Sequence, residues 1–213
     1  MMTALAELAL FLVVLSDFAV LATSRLSACI RVIALQGLLL ASLAVLVHPT
    51  LSPHTIVLAV GTAIIKAGIL PWFLRWAIRE AAVRREIEPL IGYMTSLVFG
   101  AAILVVAFAV ANVLPLRGAE DHLLVPVALV TVMLGLMVLI TRSKAITQVV
   151  GYLMLENGIY LFGLTQSERV PFLVEVGVLL DVFVGVFIMG IVVFHINREF
   201  DSISSANLSE LHD

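Results

Sequence analysis

The sequence predicts an all-α polytopic membrane protein with about seven transmembrane helices, its N-terminus outside and its C-terminus cytoplasmic. Three observations predict this. Of 213 residues, 62% are hydrophobic and 13% charged, with a mean hydropathy of +1.17, far from the balance of a water-soluble domain. The apolar residues fall in continuous runs of about 20, the length that crosses about 30 Å of hydrocarbon, whereas barrel strands would alternate. Lys and Arg gather in alternate connections, which sets the orientation.

In chain order the expected spans lie near residues 5–21, 29–47, 55–76, 90–113, 123–141, 145–164 and 172–195. The start, MMTALAELALFLVVL, has no basic n-region and carries Glu7, so it reads as the first span rather than a signal peptide. The connections are short: HPTLSPH at 48–54, RWAIREAAVRREIEP at 75–89, LPLRGAED at 114–121 and TQSERVP at 165–171. One side collects Arg25, Arg31, Arg75, Arg79, Arg84, Arg85, Arg142, Lys144 and Arg198, against Arg117 and Arg169 on the other. That partition works only with an odd number of spans. The run 75–89 reads as a stop-transfer charge cluster closed by Pro89, or as an amphipathic surface helix. The tail NREFDSISSANLSELHD is polar, with a choice between docking on a cytoplasmic partner and doing nothing detectable. For domain organisation the chain divides into two blocks of membrane helices, 1–113 and 114–213, the second carrying the short cytoplasmic tail.

Composition also excludes functions. Net charge is −3 and the basic residues are scattered, so nucleic acid is not an expected partner. Cys29, the single cysteine, permits neither an internal disulfide nor a cysteine cluster for zinc or iron–sulfur. A membrane haem wants facing histidines, yet His48, His54 and His122 fall at or beyond outer ends and leave His195 without a mate. A retinal protein would need a lysine in the last helix, where Asp181 stands instead. The chain contains no phosphate-cradling glycine loop and no metal motif.

The candidate site lies in the ionisable residues within the apolar runs. Lys66 in GTAIIKAGILPWF, Glu156 in GYLMLENGIY and Asp181 in VGVLLDVFVG each fall near mid-span. A charge at that depth costs about 2.5–3.5 kcal/mol even on lenient scales, so the three call for a polar interior, mutual pairing or neutralisation. Two readings stand: a proton or ion relay, and a static interhelix salt bridge. Asn157 and, one turn on, Tyr160 can hydrogen-bond a carboxylate or hold water, and Asn157 can equally serve as interhelical glue. Gly68 and Pro71 follow Lys66, and a proline there frees a backbone carbonyl. Glu175, toward the outer end of the seventh span, is a further candidate, though six residues place it on a different face from Asp181. Gln36 is either a packing residue or a member of the polar axis. Asp17 and His195 lie near cytoplasmic ends, where they are expected to reach water. Met133, Met137, Met154 and Met189, with Gly135, Gly151, Gly185 and Gly190, are expected in ordinary close packing between helices.

The segments TRSKAITQVVGYLMLENGIYLFGL and FLVEVGVLLDVFVGVFIMGIVVFHINREFDSISSANLSELHD carry a resemblance. Along its whole length the chain resembles the E-type membrane component of hydrogenase-4 and formate hydrogenlyase-type complexes. Residues from about 125 to 213 are in turn similar to the small NuoK-type component of respiratory complex I, with LENGIYLFGL the most specific run. That resemblance implies two membrane carboxylates on successive spans. The first maps to Glu156, downstream of the basic Arg142 and Lys144. The second maps to Asp181, an aspartate where the family has glutamate, and Glu175 becomes its rival if the alignment slips by six residues. Block 1–113 reads as a diverged copy of the same unit, with Gln36 and Lys66 in the corresponding spans, or as unrelated membrane helices.

What the resemblance implies is a membrane-arm subunit of a complex I-like energy-converting hydrogenase in the cell inner (cytoplasmic) membrane. Such a subunit performs no bond chemistry. It supports proton translocation coupled to electron transfer through its buried carboxyls, within a hetero-oligomer embedded in lipid. The implied partners are antiporter-like membrane subunits, a complex I-like membrane anchor subunit and a hydrophilic hydrogenase-like arm. Iron–sulfur and nickel–iron centres are expected in those partners, with no cofactor or metal on this chain. Two other classes compete: a structural adaptor whose acids pair with partner lysines, and an autonomous small transporter.

Overall fold

A computed structural model describes residues 4–47, 53–80, 91–113, 123–142, 145–165, 180–181 and 183–190. These residues are nearly all helical: α1 (Ala4–Ala22), α2 (Leu26–Val47), α3 (Pro53–Thr62), a π-helical segment (Ala63–Ile69), α4 (Leu70–Glu80), α5 (Tyr93–Val113), α6 (Leu124–Thr141) and α7 (Ala145–Thr165). The helix α3, the π segment and α4 run on without a break. Residues 180–181 and 183–190 are helical where the seventh span is expected.

Five of these stretches are long and apolar enough to cross a membrane: Ala4–Ala22, Leu26–Val47, Thr55–Arg79, Tyr93–Val113 and Leu124–Thr141. The chain is a multi-pass helical membrane protein. Its outward faces are as apolar as its core, which marks lipid rather than water as the solvent. On α1, for example, Leu5, Leu8, Phe11 and Leu15 are exposed while Ala6, Leu10 and Val13 are buried. The helix α7 matches its neighbours in length but carries Gln148, Glu156 and Asn157. It is covered by other helices, with most of its residues buried.

The α6–α7 pair is the most extensive contact in the bundle, and Gly135 and Gly151 explain its closeness. A Cβ on Gly135 would meet the Gly151 carbonyl oxygen at 2.9 Å, and one on Gly151 would meet the Gly135 carbonyl oxygen at 3.0 Å. These are backbone atoms that cannot swing aside, so the expected close packing holds there. At Gly185 and Gly190 no described residue lies within 4 Å of the Cβ position. The methionines divide as well. Met154 is fully buried, whereas Met133 and Met189 are exposed on the apolar surface.

The core separates into two apolar clusters along the bundle. One contains Val20, Ile30, Leu74, Val138 and Val150; the other contains Leu10, Val13, Leu40, Leu124 and Leu161. Between them in chain position fall Asp17 on α1, Gln36 on α2, Thr62 and Lys66 on the third span, and Glu156 and Asn157 on α7.

Candidate functional site

Lys66 projects from the π segment, whose wide turn is closed by the Leu70 N–H donating to the Ile65 carbonyl. Pro71 follows at once and has no N–H to return to the Ala67 carbonyl, so an α-helical turn would gain no bond there. The helix α2 reaches this segment through Gly37. A Cβ on Gly37 would lie 2.8 Å from Lys66 Cβ and 2.9 Å from its carbonyl carbon, so only glycine lets the two backbones approach this closely.

The Lys66 ammonium donates to Glu156 Oε2 on α7 and, at 3.2 Å, to Asp181 Oδ1. All three side chains are buried: Lys66 is 4% exposed, Glu156 0% and Asp181 3%. The Tyr160 ring, one turn from Glu156, faces the ammonium with its centroid 5.7 Å away, within cation–π range. The Thr62 hydroxyl donates to the Tyr160 hydroxyl at 3.2 Å. Glu156 Oε1 is buried and takes part in no hydrogen bond among the described residues.

A second polar group adjoins the first through the neighbouring residue of α7. Asn157 Nδ2 donates to Gln36 Oε1 at 2.9 Å. Gln36 Nε2 donates to Asp17 Oδ1 at 2.7 Å, and the Thr131 hydroxyl donates to Asp17 Oδ2 at 2.7 Å. Gln36 lies ten residues beyond the start of α2, Thr131 ten before the end of α6, and Glu156 eleven beyond the start of α7. At 1.5 Å per residue this is about 15 Å, half the hydrocarbon thickness.

The sequence therefore located Lys66, Glu156 and Asp181, and the structure brings them together. It also brings Gln36 into the polar layer. Asn157 and Tyr160 are in the layer too: Asn157 takes the second of its two expected roles, an interhelical bond to Gln36, while the Tyr160 hydroxyl meets Thr62 rather than a carboxylate and its ring faces Lys66. Glu175 and His195 lie outside the described residues.

Two expectations need correction. Asp17 does not reach water at the helix end; it is 1% exposed and held by α2 and α6. Its face of α1, shared with Val13, Val20 and Leu21, is the one that packs inward, and a side chain this short cannot turn back to the interface. The signal was present, a carboxyl inside an apolar run. Only its closeness to the expected end of the span hid it. Arg142, expected in a basic loop, is 3% exposed. Its guanidinium lies 3.4 Å from the Leu21 carbonyl, one of the carbonyls that the end of α1 leaves without an intrahelical donor, and 5.6 Å from the Tyr93 ring centroid.

Chemically, the layer holds one ammonium and two carboxyls in the Lys66 cluster, with a third carboxyl, Asp17, at the far end of an amide chain. It can store, pair or exchange protons. Among the described residues no group of three His, Cys, Asp or Glu is placed to hold a metal.

No family model matches the chain, and no solved structure matches it. Among curated proteins it is 29% identical to hydrogenase-4 component E of Escherichia coli (strain K12) over 150 residues, 70% of this chain and 69% of that one. The same figures describe its match to hydrogenase-4 component E of Shigella flexneri. It is 35% identical over 192 residues, 88% of this chain and 87% of the other, to the uncharacterized protein Rv0085 of Mycobacterium tuberculosis. The chain belongs to the family of that mycobacterial protein, with hydrogenase-4 component E as a more distant homologue.

Proposed function

We propose that the chain is a membrane-arm subunit of a complex I-like, hydrogenase-4-type complex in the cytoplasmic (inner) membrane, and that it supports proton translocation coupled to electron transfer. The observation that carries this is Lys66 held between Glu156 and Asp181 in a buried layer at mid-bundle. One ammonium balances one carboxylate. The second carboxyl must then be protonated or leave an excess charge in a medium where charge is expensive. The cluster accordingly has two states that differ by one proton, with little else to rearrange. Glu156 Oε1, engaged by no donor, is an oxygen able to take that proton. In a low-dielectric interior, a change of charge at one member acts strongly on the others.

Distant homology to hydrogenase-4 component E supports the membership of the complex. Its antiporter-like, anchor and hydrophilic-arm partners, with their iron–sulfur and nickel–iron centres, belong to the same proposal. So does a NuoK-like second half. Lys66 pairs with Asp181 and Gln36 with Asn157, which is what two facing copies of one unit would bring together, and this supports reading 1–113 and 114–213 as a repeat. The adaptor alternative has the acids reaching lysines of partner subunits, whereas here both are already engaged by Lys66 of the same chain.

The test is the number of protons translocated per electron in an assembled complex. Glu156→Gln and Asp181→Asn should each retain assembly and lower that ratio. Full pumping by an assembled E156Q complex would end the proton-relay reading. A loss of complex abundance ahead of any change in ratio would favour the adaptor. Impairment by Glu175→Gln alone would move the second carboxyl from Asp181 to Glu175.

A further inference from the structure

We infer that Asp17 is a second proton-exchanging site, electrically coupled to the Lys66–Glu156–Asp181 cluster through Gln36 and Asn157. The inference rests on the proton-translocating reading above, but its own test does not use pumping.

The geometry makes three points. Asp17 is a carboxyl without a cation: among the described residues both ion pairs belong to Lys66, and Asp17 is in neither. On the elements packed against α1, the charged and titratable side chains are Cys29 and Arg31 on α2, Tyr93 on α5 and Arg142 at the end of α6. Arg31 is exposed. Arg142 stands one turn along α1, at the Leu21 carbonyl, with its Nη1 buried and unpartnered. An unpaired carboxylate at this depth is costly, so the neutral acid competes with the anion.

Second, the surroundings accept both protonation states without moving a heavy atom. Facing the anion, the Gln36 amide and the Thr131 hydroxyl each donate to one carboxyl oxygen. Facing the acid, Gln36 still donates to the carbonyl oxygen, while Thr131 turns its hydroxyl and accepts from the new O–H, since a hydroxyl is donor and acceptor alike. In the exchange, one O–H bond at Asp17 Oδ2 breaks, the proton passes to water, and the carboxyl keeps the electron pair and a unit negative charge.

Third, a row of hydrogen bonds runs from Asp17 to the residue next to Glu156. Asn157 donates to Gln36 and Gln36 to Asp17, and Asn157 adjoins Glu156 on α7. Two amides in series do not carry a proton, but they align dipoles between the two carboxyls and pass polarisation along the row. The chain thus holds two charge sites with an oriented polar row between them, bonded to Asp17 at one end and ending beside Glu156 at the other.

The experiment is an infrared pH titration of the protonated aspartyl band in the 13C-aspartate-labelled complex, reconstituted in lipid vesicles. A titrating aspartyl band is expected that vanishes in Asp17→Asn and persists in Asp181→Asn. In Glu156→Gln its midpoint should move by about one pH unit, the size of coupling at which two sites titrate as a pair. The same substitution in an Asn157→Leu background should move it far less. If Asp17→Asn does not assemble, Thr131→Val identifies the band by shifting its frequency. The inference is overturned by a spectrum with no titrating aspartyl band that persists in Asp181→Asn. It is equally overturned by a band unmoved in Thr131→Val, or by a midpoint that ignores Glu156→Gln. None of these results bears on whether E156Q pumps, so the two proposals fail separately.

Discussion

Lys66 neutralises one of two acids that its removal would leave facing each other in the bilayer interior. Removing one partner of a buried ion pair typically costs about 3–5 kcal/mol, most of it the penalty of the charge left behind. Lys66→Met should therefore lower the thermal midpoint of the detergent-solubilised protein sharply. Lys66→Met/Asp181→Asn should recover part of the loss, because only one carboxyl then remains to be neutralised. The check is a double-mutant cycle: additive losses would show that Lys66 and Asp181 do not act as a pair. Lys66, Glu156 and Asp181 were legible in the sequence because a charge in an apolar run stands out against about 20 residues of background. Asp17 gave the same signal but lay near the expected end of its span, and its burial depends on α2 and α6 packing over it, a tertiary fact. The choice of partner by Asn157 and Tyr160 was equally hidden, since the sequence shows that an amide can bond, not with what.

Helices were the most legible level. The runs near 5–21, 29–47, 123–141 and 145–164 correspond closely to α1, α2, α6 and α7, because continuous apolarity over one bilayer thickness is a composition signal that needs no tertiary context. The π segment was not legible. Gly68 and Pro71 mark a weak place in the helix, but not that its turn widens around Lys66. The approach of α2 to that turn gives an element-level prediction. Gly37→Ala places a methyl group against Lys66 backbone and Cβ, and overpacking of this kind costs about 1–3 kcal/mol. The variant should lose thermal stability and, under the proposed function, also weaken proton translocation, since the Lys66 backbone is the part that the new methyl group displaces. Gly61→Ala is the control on the same span. Its Cβ would have no neighbour within 4 Å, and alanine gains about 1 kcal/mol of helix propensity over glycine. Equal losses in the two variants would show that the α2 contact at Gly37 does not position Lys66.

At the scale of the whole molecule, the two halves are joined by polar contacts at mid-bundle and, at one end, by Arg142. Its contacts with Leu21 and Tyr93 put the last turn of α1, the first turn of α5 and the end of α6 at the same membrane face. That face also receives Arg25, Arg75 and Arg79 by chain position, so the positive-inside rule predicts that it is the cytoplasmic one. On that prediction the connection at 114–122 and the N-terminus are expected outside, and the C-terminal tail inside if residues 172–195 cross once more. Cysteine labelling measures this directly, because the native Cys29 is buried and contributes little background. Gly118→Cys should react with a membrane-impermeant maleimide in intact cells. Ser202→Cys should react only after the membrane is opened. The opposite pattern would invert the protein in the membrane. Reaction of both positions in intact cells would instead show an even number of crossings between residues 118 and 202, and with it a helix count other than seven.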